Sequence, residues 1–398
     1  MTILFFNIPA SGHINPSLPV VQELVKRGET ILYYNSTDQR NLIESSGATF
    51  VAYPIADDFT PLNQAVGESN MAQNALILLQ IMEKLLPFVL SEIDKHQPKL
   101  VIFDSLASWG NLASKIKQVR NMGFITTFVM VPSAMSMMGV GTIAKLVGQL
   151  AQVFPQYWGI RQRYFRQYNA KQMVGLPDAL MNFGEQNIVF TSSLFHPVSH
   201  AVPKNFTFVG ASILPRPQDS HFPFEQLTGK PLVYISMGTI NNRQTEFYKM
   251  CFEAFAQHDG QFLLSVGKAT DIASLGRIPS NFIVKNFVPQ LDILQKVDVF
   301  ITHGGMNSVH EGFYYGVPMV VFPQQPEQSL IAKQVQQHQA GVMLPTASVD
   351  GLRQALATLL GNPVYQRNAT RLGDSLRDAG GYQQAAETVL AYANALHA

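Results

Sequence analysis

Cysteine is nearly absent. The 398 residues contain one, Cys251, which excludes an internal disulfide framework and any four-cysteine zinc site. Charge is scarce as well: Asp, Glu, Lys and Arg make up 14% of the chain, against roughly 25% in an average soluble domain. Neither sign prevails, because 28 Lys and Arg stand against 27 Asp and Glu for a net charge of +1. Totals this even give no electrostatic reason to expect nucleic acid or an anionic membrane as partner. A nucleoside-triphosphate P-loop is missing too, since Gly260 and Gly267-Lys268 have the wrong spacing and Ala269 stands where Ser or Thr is required. Met1-Thr2-Ile3-Leu4-Phe5-Phe6 carries no basic segment or cleavage site, so no secretory signal is read and a cytoplasmic protein is expected. The uncharged stretch between Arg120 and Lys145 is broken by Pro132, Gly139 and Gly141, and single residues rather than an aromatic or basic belt bound it, so no membrane span is expected.

What the chain has in quantity is apolar side chains: 46% hydrophobic residues, with 26 Phe and 15 Met. A large apolar cleft and a thick core both accommodate that excess. Short apolar runs recur without alternation at Ile3 to Ile8, Thr30 to Tyr34, Leu100 to Phe103 and Phe124 to Val131. They continue at Leu232 to Ser236, Phe262 to Val266, Val299 to Thr302 and Met319 to Phe322. Runs apolar on both faces suit parallel strands covered by helices on both sides. Between them lie helical segments with punctuated ends. Asn15 is placed to cap a helix opening at Pro16 and closing before Gly28; Asp38 to Ser46 stops at Gly47, and Asn307 to Tyr315 at Gly316. Alternating strand and helix reads as doubly wound α/β.

Pro203, Pro215, Pro217, Pro223 and Pro231 mark a linker that divides the chain into near-equal halves. Each half opens with a strand running into a small-residue turn, Ile8-Pro9-Ala10-Ser11-Gly12-His13 and Ile235-Ser236-Met237-Gly238-Thr239. The expected architecture is two Rossmann-like parallel-sheet domains facing across a cleft. We expect an N-terminal domain at 1–209, a linker at 210–230, a C-terminal domain at 231–372, and a helical segment at 373–398 returning to the first domain.

The most informative segment is Phe287-Val288-Pro289-Gln290, followed by Thr302-His303-Gly304-Gly305-Met306-Asn307-Ser308-Val309-His310-Glu311-Gly312. A strand ends in a glycine pair and a helix begins near Asn307. Backbone N–H groups at a helix start bind phosphate, and glycines let the backbone come close. Asn307, Ser308 and His303 add donors, and Glu311 in the first turn is suited to accept from ribose hydroxyls, as acids do in dinucleotide sites.

This stretch resembles the signature of family 1 UDP-glycosyltransferases of GT-B fold. That pattern reads Trp-x-Pro-Gln, His-Cys-Gly-Trp-Asn-Ser-x-x-Glu, Gly-Val-Pro and an acidic residue followed by Gln. The chain supplies Pro289-Gln290, His303, Gly305, Asn307-Ser308, Glu311, Gly316-Val317-Pro318 and Glu327-Gln328. Phe287 stands for the stacking Trp, Gly304 for Cys and Met306 for the second Trp, as in the bacterial macrolide-type branch. The resemblance implies that the base stacks on Phe287 while the Val288 backbone meets its polar edge. Gln290 and Glu311 would hold the ribose, His303, Asn307, Ser308 and Thr239 the diphosphate, and Glu327 and Gln328 the sugar. UDP-glucose is the expected donor, with other UDP-sugars or a dTDP-sugar as alternatives.

His13 follows the first strand and Asp104 ends the strand Leu100 to Phe103, so both lie at the edge where open α/β sheets bind ligands. Imidazole titrates near operating pH, and a carboxylate on its far nitrogen fixes the tautomer. A histidine in this place caps helices as readily as it takes protons; the resemblance decides for a catalytic His13 with Asp104 as partner. It also implies an acceptor pocket in the N-terminal domain. Phe128, Met130, Met135 and Met138 are candidates for its apolar wall, and each serves equally as core. No Asp-x-Asp occurs, so neither metal nor cofactor is expected. His196 and His200, with Pro197 between them, make a poor zinc pair.

Gly139-Val140-Gly141-Thr142-Ile143-Ala144 matches a dinucleotide fingerprint in form only, because Pro132 intervenes after the strand and no acid follows at the needed distance. The resemblance therefore implies an inverting transferase of sugar from a UDP-sugar to a small apolar hydroxyl compound. A GT-B-like nucleotide-sugar epimerase or a non-catalytic nucleotide-sugar binder is the alternative.

Overall fold

A computed structural model of the chain describes residues 1–55, 59, 70–131, 140–168, 181–214, 222–238, 244–268 and 270–395. They form two compact units, one of Met1–Ser212 with Ala379–Ala398 and the other of Ile213–Asp378.

The first unit is built in chain order from β1 (Thr2–Phe6), α1 (Ser11–Lys26), β2 (Thr30–Asn35), α2 (Arg40–Glu44), β3 (Thr49–Ala52), α3 (Met71–His96) and β4 (Leu100–Asp104). Then come α4 (Ser108–Lys117), β5 (Asn121–Ile125), α5 (Val140–Tyr168), β6 (Gln186–Val189) and β7 (Phe206–Phe208). Seven parallel strands run in the order β3-β2-β1-β4-β5-β6-β7. Successive residues of the central strands enter opposite layers. Leu4, Phe6, Val101 and Phe103 join the helices α3 and α4 on one face, while Ile3, Phe5 and Ile102 pack with Val20, Val21 and Leu24 of α1 on the other. Burial on both faces is why these strands read as unbroken apolar runs.

Local chemistry departs from expectation in three places. Helix α1 begins at Ser11, not at Pro16, and runs through Pro16 and Pro19. Each proline forfeits one hydrogen bond to the preceding turn, yet both are buried, and their packing together with Ile14, Val20 and Leu24 outweighs the loss. Strand β5 spans Asn121–Ile125, not Phe124 to Val131. Its polar start was unreadable because Asn121 is buried by accepting from the Glu185 N–H, and Gly123 is bare because a Cβ there would meet Asn187 Oδ1 at 2.6 Å. The expected helix at Asp38 to Ser46 is a single 3₁₀ turn followed by the short α2.

The second unit contains β8 (Leu232–Ser236), α6 (Thr245–Phe255), β9 (Gln261–Ser265), β10 (Phe282–Lys285), α7 (Gln290–Leu294) and β11 (Val299–Thr302). It continues with α8 (Met306–Tyr314), β12 (Met319–Val321), α9 (Pro326–Gln337), β13 (Gly341–Met343), α10 (Val349–Gly361) and α11 (Val364–Asp378). Its six parallel strands lie in the order β10-β9-β8-β11-β12-β13. Stacked rings knit its core, with Phe255 and Phe282 each on Phe262 at centroid distances of 4.7 and 4.8 Å. The chain then returns: α12 (Gly381–Asn394) packs on α1 and sends Ala385, Ala386, Val389 and Ala393 into the first unit's core. The return starts at Ala379, because α11, placed by expectation partly in the returning segment, lies against α8 of the second unit. Among the described residues, no helix is long and apolar enough to cross a membrane.

Contact between α11 and α8 is close because Gly373 is bare: a Cβ there would lie 2.0 Å from the Phe313 carbonyl oxygen. Gly373→Ala should therefore cost about 1–3 kcal/mol by overpacking. Gly361→Ala, with open space around its Cβ position, should be neutral or gain up to ~1 kcal/mol. Urea denaturation of the full chain measures both, and equal midpoints for the two variants would refute the packing argument.

Candidate functional site

In the first unit the site grows from the pairing of β1 with β4. Register places Phe6 beside Phe103, so the residues that follow β1 meet the last residue of β4. His13 lies in the first turn of α1, not in the preceding loop. Its Nδ1 is 2.8 Å from Asp104 Oδ2, the histidine side chain being 20% exposed and the carboxylate 1%. Asp104 Oδ1 accepts from the Leu106 N–H at 2.9 Å. With Asp104 as the acceptor, the tautomer that fits this contact carries its hydrogen on Nδ1. Thr126 Oγ1 approaches the same Nδ1 at 3.1 Å and shares its hydrogen.

Beneath this pair lies a buried network. Asn7 Nδ2 donates to the His13 carbonyl at 3.2 Å and to the Tyr33 hydroxyl at 2.7 Å, while its Oδ1 accepts from the Ile8 N–H. Tyr33 meets Ser17 Oγ, which donates to the Ile14 carbonyl, and the Tyr53 hydroxyl donates to the Asn7 carbonyl. Burial raises the Tyr33 phenol far above its usual range, so it remains a neutral bridge. This network ties the turn into α1 to the sheet.

Past β5, Phe128 is buried against Phe195 and, edge-on, His196 at 5.5 and 5.4 Å between centroids. Met130 is half-buried, its N–H directed at Met181 Sδ. Met135 and Met138 lie outside the described residues, as does Thr239. His196 belongs to this wall: Nε2 faces the Val129 N–H at 3.0 Å and Nδ1 the Val198 N–H at 3.3 Å. A neutral ring accepts at one nitrogen only, and the shorter contact assigns that role to Nε2.

In the second unit β8 pairs with β11, Ser236 beside Thr302, and the turns after them interlock. Gly238 and Gly304 have φ of +83° and +84°, a region that favours glycine. A Cβ on Gly238 or on Gly305 would stand 2.6 Å from the His303 ring, so the imidazole occupies a slot that two bare glycines leave open. Gly305 caps α8, which starts at Met306, and half-buried Asn307 and Ser308 lie in its first turn. Glu311 falls in the second turn, not the first, and is buried. Gln290 Nε2 donates to Glu311 Oε2 at 2.6 Å and its Oε1 accepts from the Tyr234 hydroxyl at 3.1 Å. Phe287 is 56% exposed beside buried Val288. On α9, Glu327 is exposed while Gln328 is buried, its Oε1 accepting from the Gln324 N–H at 2.8 Å.

With this geometry in view, comparison with known proteins is decisive. Residues 114–379 match the family model described as "UDP-glucoronosyl and UDP-glucosyl transferase". The chain belongs to this UDP-glycosyltransferase family. It is 32% identical to an uncharacterized UDP-glucosyltransferase, YojK, of Bacillus subtilis over 98% of this chain and 96% of that one. It is 26% identical to the oleandomycin glycosyltransferase of Streptomyces antibioticus, covering 99% and 91%. The crystal structure of the glycotransferase of kitacinnamycin aligns with a TM-score of 0.83 at 27% identity, covering 98% of each chain. The two parallel-sheet units of this UDP-glycosyltransferase are Rossmann-like, and its structural neighbours are GT-B glycosyltransferases.

Sequence reasoning about this UDP-glycosyltransferase missed Asn7, Thr126 and Tyr234. Asn7 left a trace, an amide interrupting the apolar run Ile3 to Ile8; Thr126, beside Thr127, left none.

Burial also fixes the charge of three histidines. It lowers His196 and His303 from the usual 6.5 to about 4, and His310 to about 3. The unfolded chain therefore takes up protons before the folded one, so the stability these groups contribute is complete above about 6.5 and is lost as pH falls toward the folded values. Each histidine steepens the loss by up to about 1.4 kcal/mol per pH unit. Urea midpoints should drop between about pH 7 and about pH 5, and His310→Gln should flatten that drop. An unchanged slope in the variant would contradict a neutral, buried His310.

Proposed function

We propose that the chain is an inverting, metal-independent glycosyltransferase that moves a sugar, glucose first, from a UDP-sugar to a hydroxyl of a small apolar acceptor such as a flavonoid, another phenolic or a macrolide. The observation that carries this reading is the 2.8 Å bond from His13 Nδ1 to a buried Asp104, which leaves Nε2 as a base. A protein that only bound nucleotide sugar has no use for such a pair.

The acceptor hydroxyl gives its proton to Nε2 as its oxygen bonds to the anomeric carbon. The bond from that carbon to the diphosphate breaks in the same step, and UDP departs with the electron pair. A single displacement inverts the configuration, and Asp104 stabilises the imidazolium that forms. Phe287 stacks on the base, the Val288 backbone meets its edge, and Gln290 with Glu311 holds the ribose. Gly305, Asn307, Ser308, His303 and Thr239 receive the diphosphate, with backbone donors meeting the charge that develops on it. Glu327 and Gln328 select the sugar. On the acceptor side Phe128 backs the wall, and Met130, Met135 and Met138 adapt it to varied apolar shapes.

The test is UDP release from UDP-glucose with a panel of phenolic and macrolide acceptors, EDTA present. Release should depend on acceptor and survive EDTA, and His13→Ala should lower kcat by about a hundredfold or more. Asn7→Ala should lower kcat several-fold with little change in KM, because it loosens the turn that aims His13. Release that EDTA abolishes would overturn metal independence, and full activity in His13→Ala would overturn the base. UDP binding without release from any acceptor would favour a nucleotide-sugar binder or an epimerase.

A further inference from the structure

Among the described residues, the outward face of α5 carries the most exposed large apolar side chains once Phe287 is set aside. Val147, Phe154 and Trp158 are 60%, 51% and 45% exposed. Their spacing of seven and four residues puts them, with exposed Ala151, on one stripe of the helix. The opposite face is fully used: Val153, Tyr157, Ile160 and Tyr164 are buried with α3, and Arg163 makes a two-pronged bond to Glu83 at 2.6 and 2.8 Å. The stripe is thus held outward by a fixed helix.

Its charge is one-sided. The 29 residues of α5 contain Lys145, Arg161, Arg163 and Arg166 and no acidic residue. Lys145, Arg161 and Arg166 are exposed and make no ion pair with any described residue. Arg161 lies over the Trp158 ring at 5.3 Å, and Phe154 stacks on Trp158 at 6.0 Å. The near-zero net charge of the chain conceals this local excess.

We infer that this face docks on an anionic lipid surface, Phe154 and Trp158 entering the headgroup boundary while Arg161 beside them and Arg166 at the edge of the face meet the phosphates. Aromatic side chains beside arginines, on a helix that carries no acid of its own and whose neighbour Glu83 is paired to Arg163, are what an interfacial helix requires. Two copies of the face would bring basic residues against basic residues, so charge disfavours a second copy as the occupant. For the proposed apolar acceptors a bilayer is also where they concentrate; that benefit rests on the functional reading above, whereas docking does not.

Sedimentation of the full chain with vesicles tests this, comparing phosphatidylcholine alone with vesicles in which phosphatidylglycerol replaces roughly a third of the lipid. Binding should favour the anionic vesicles, weaken as salt rises, and fall about fivefold for each of Arg161→Gln and Arg166→Gln. Trp158 emission should shift to the blue on binding, and that shift should vanish in Trp158→Phe, while Trp109 in the core stays silent. Thermal melting and UDP binding confirm that each variant is folded. Absence of sedimentation, equal binding to both vesicle types, or binding unaltered by the arginine variants would overturn the inference. So would self-association in lipid-free buffer that Trp158→Ala abolishes, which assigns the face to a second copy. A raised KM for a water-soluble acceptor in lipid-free Trp158→Ala would assign it to the acceptor site instead. Vesicle binding needs no turnover, so it stands or fails separately from glycosyl transfer.

Discussion

Parallel pairing at the point where strand order reverses is the constraint on which both sites depend. In the first unit the reversal falls between β1 and β4, in the second between β8 and β11. At such a point the connections after the two strands leave toward opposite faces, and their first residues are left side by side at the carboxyl edge. The first unit fills that place with His13 from one connection and Asp104 from the other strand's end. The second fills it with Gly238 and the His303 ring. Neither pair is close in sequence, and each exists because two central strands are apolar on both faces and pair in one register.

The same physics explains what was legible. Leu232–Ser236 and Val299–Thr302 could be read to the residue, because fully buried strands admit only apolar and small side chains. The UDP-glycosyltransferase signature was legible because, on the proposed reading, phosphate binding restricts backbone and side chain together over a short span. What escaped detection lies where burial and polarity coincide. Asn121, Asn187 and Asn182 are buried amides whose hydrogen bonds stand in for apolar packing, and a pattern of apolar runs passes over them. The short strands Phe206–Phe208 and Gly341–Met343 offer three residues each and no distinctive run. Pro16 and Pro19 gave a false start for α1, since a local rule about proline yielded to tertiary burial. Thr126 becomes meaningful only once β5 stands beside β4.

Charge totals and charge placement carry different information. Low and balanced charge argues against polyanionic partners only if charge is spread evenly. Acidic residues in α3 are spent on particular partners, Glu92 on Tyr34 and Lys95 and Glu83 on Arg163 of α5, whereas α5 itself carries none to offset Arg161 and Arg166. A sum over the chain cannot register such a separation; a sum over one helix face does.

The nucleotide site raises a related question of sign. Between Lys296 and Lys333 the chain has no lysine or arginine, and burial keeps His303 neutral near neutral pH. On the proposed reading, the diphosphate is met by backbone N–H groups at the start of α8 and by the uncharged donors His303, Asn307 and Ser308, none of which is a fixed cation. A helix end contributes about 0.3–1 kcal/mol toward a full negative charge, up to ~2 when partly buried, less than a close lysine would. On that reading the base on Phe287 and the ribose on the linked pair Gln290 and Glu311 add to the affinity for the nucleotide. That division has a catalytic advantage. Contacts to base and ribose are alike in substrate and transition state, whereas oriented amides gain strength as charge accumulates on the departing phosphate. A cationic grip would bind the intact donor and the departing UDP strongly alike, slowing release after each transfer. Dipoles aimed at the diphosphate favour the moment of bond breaking and still let the product go.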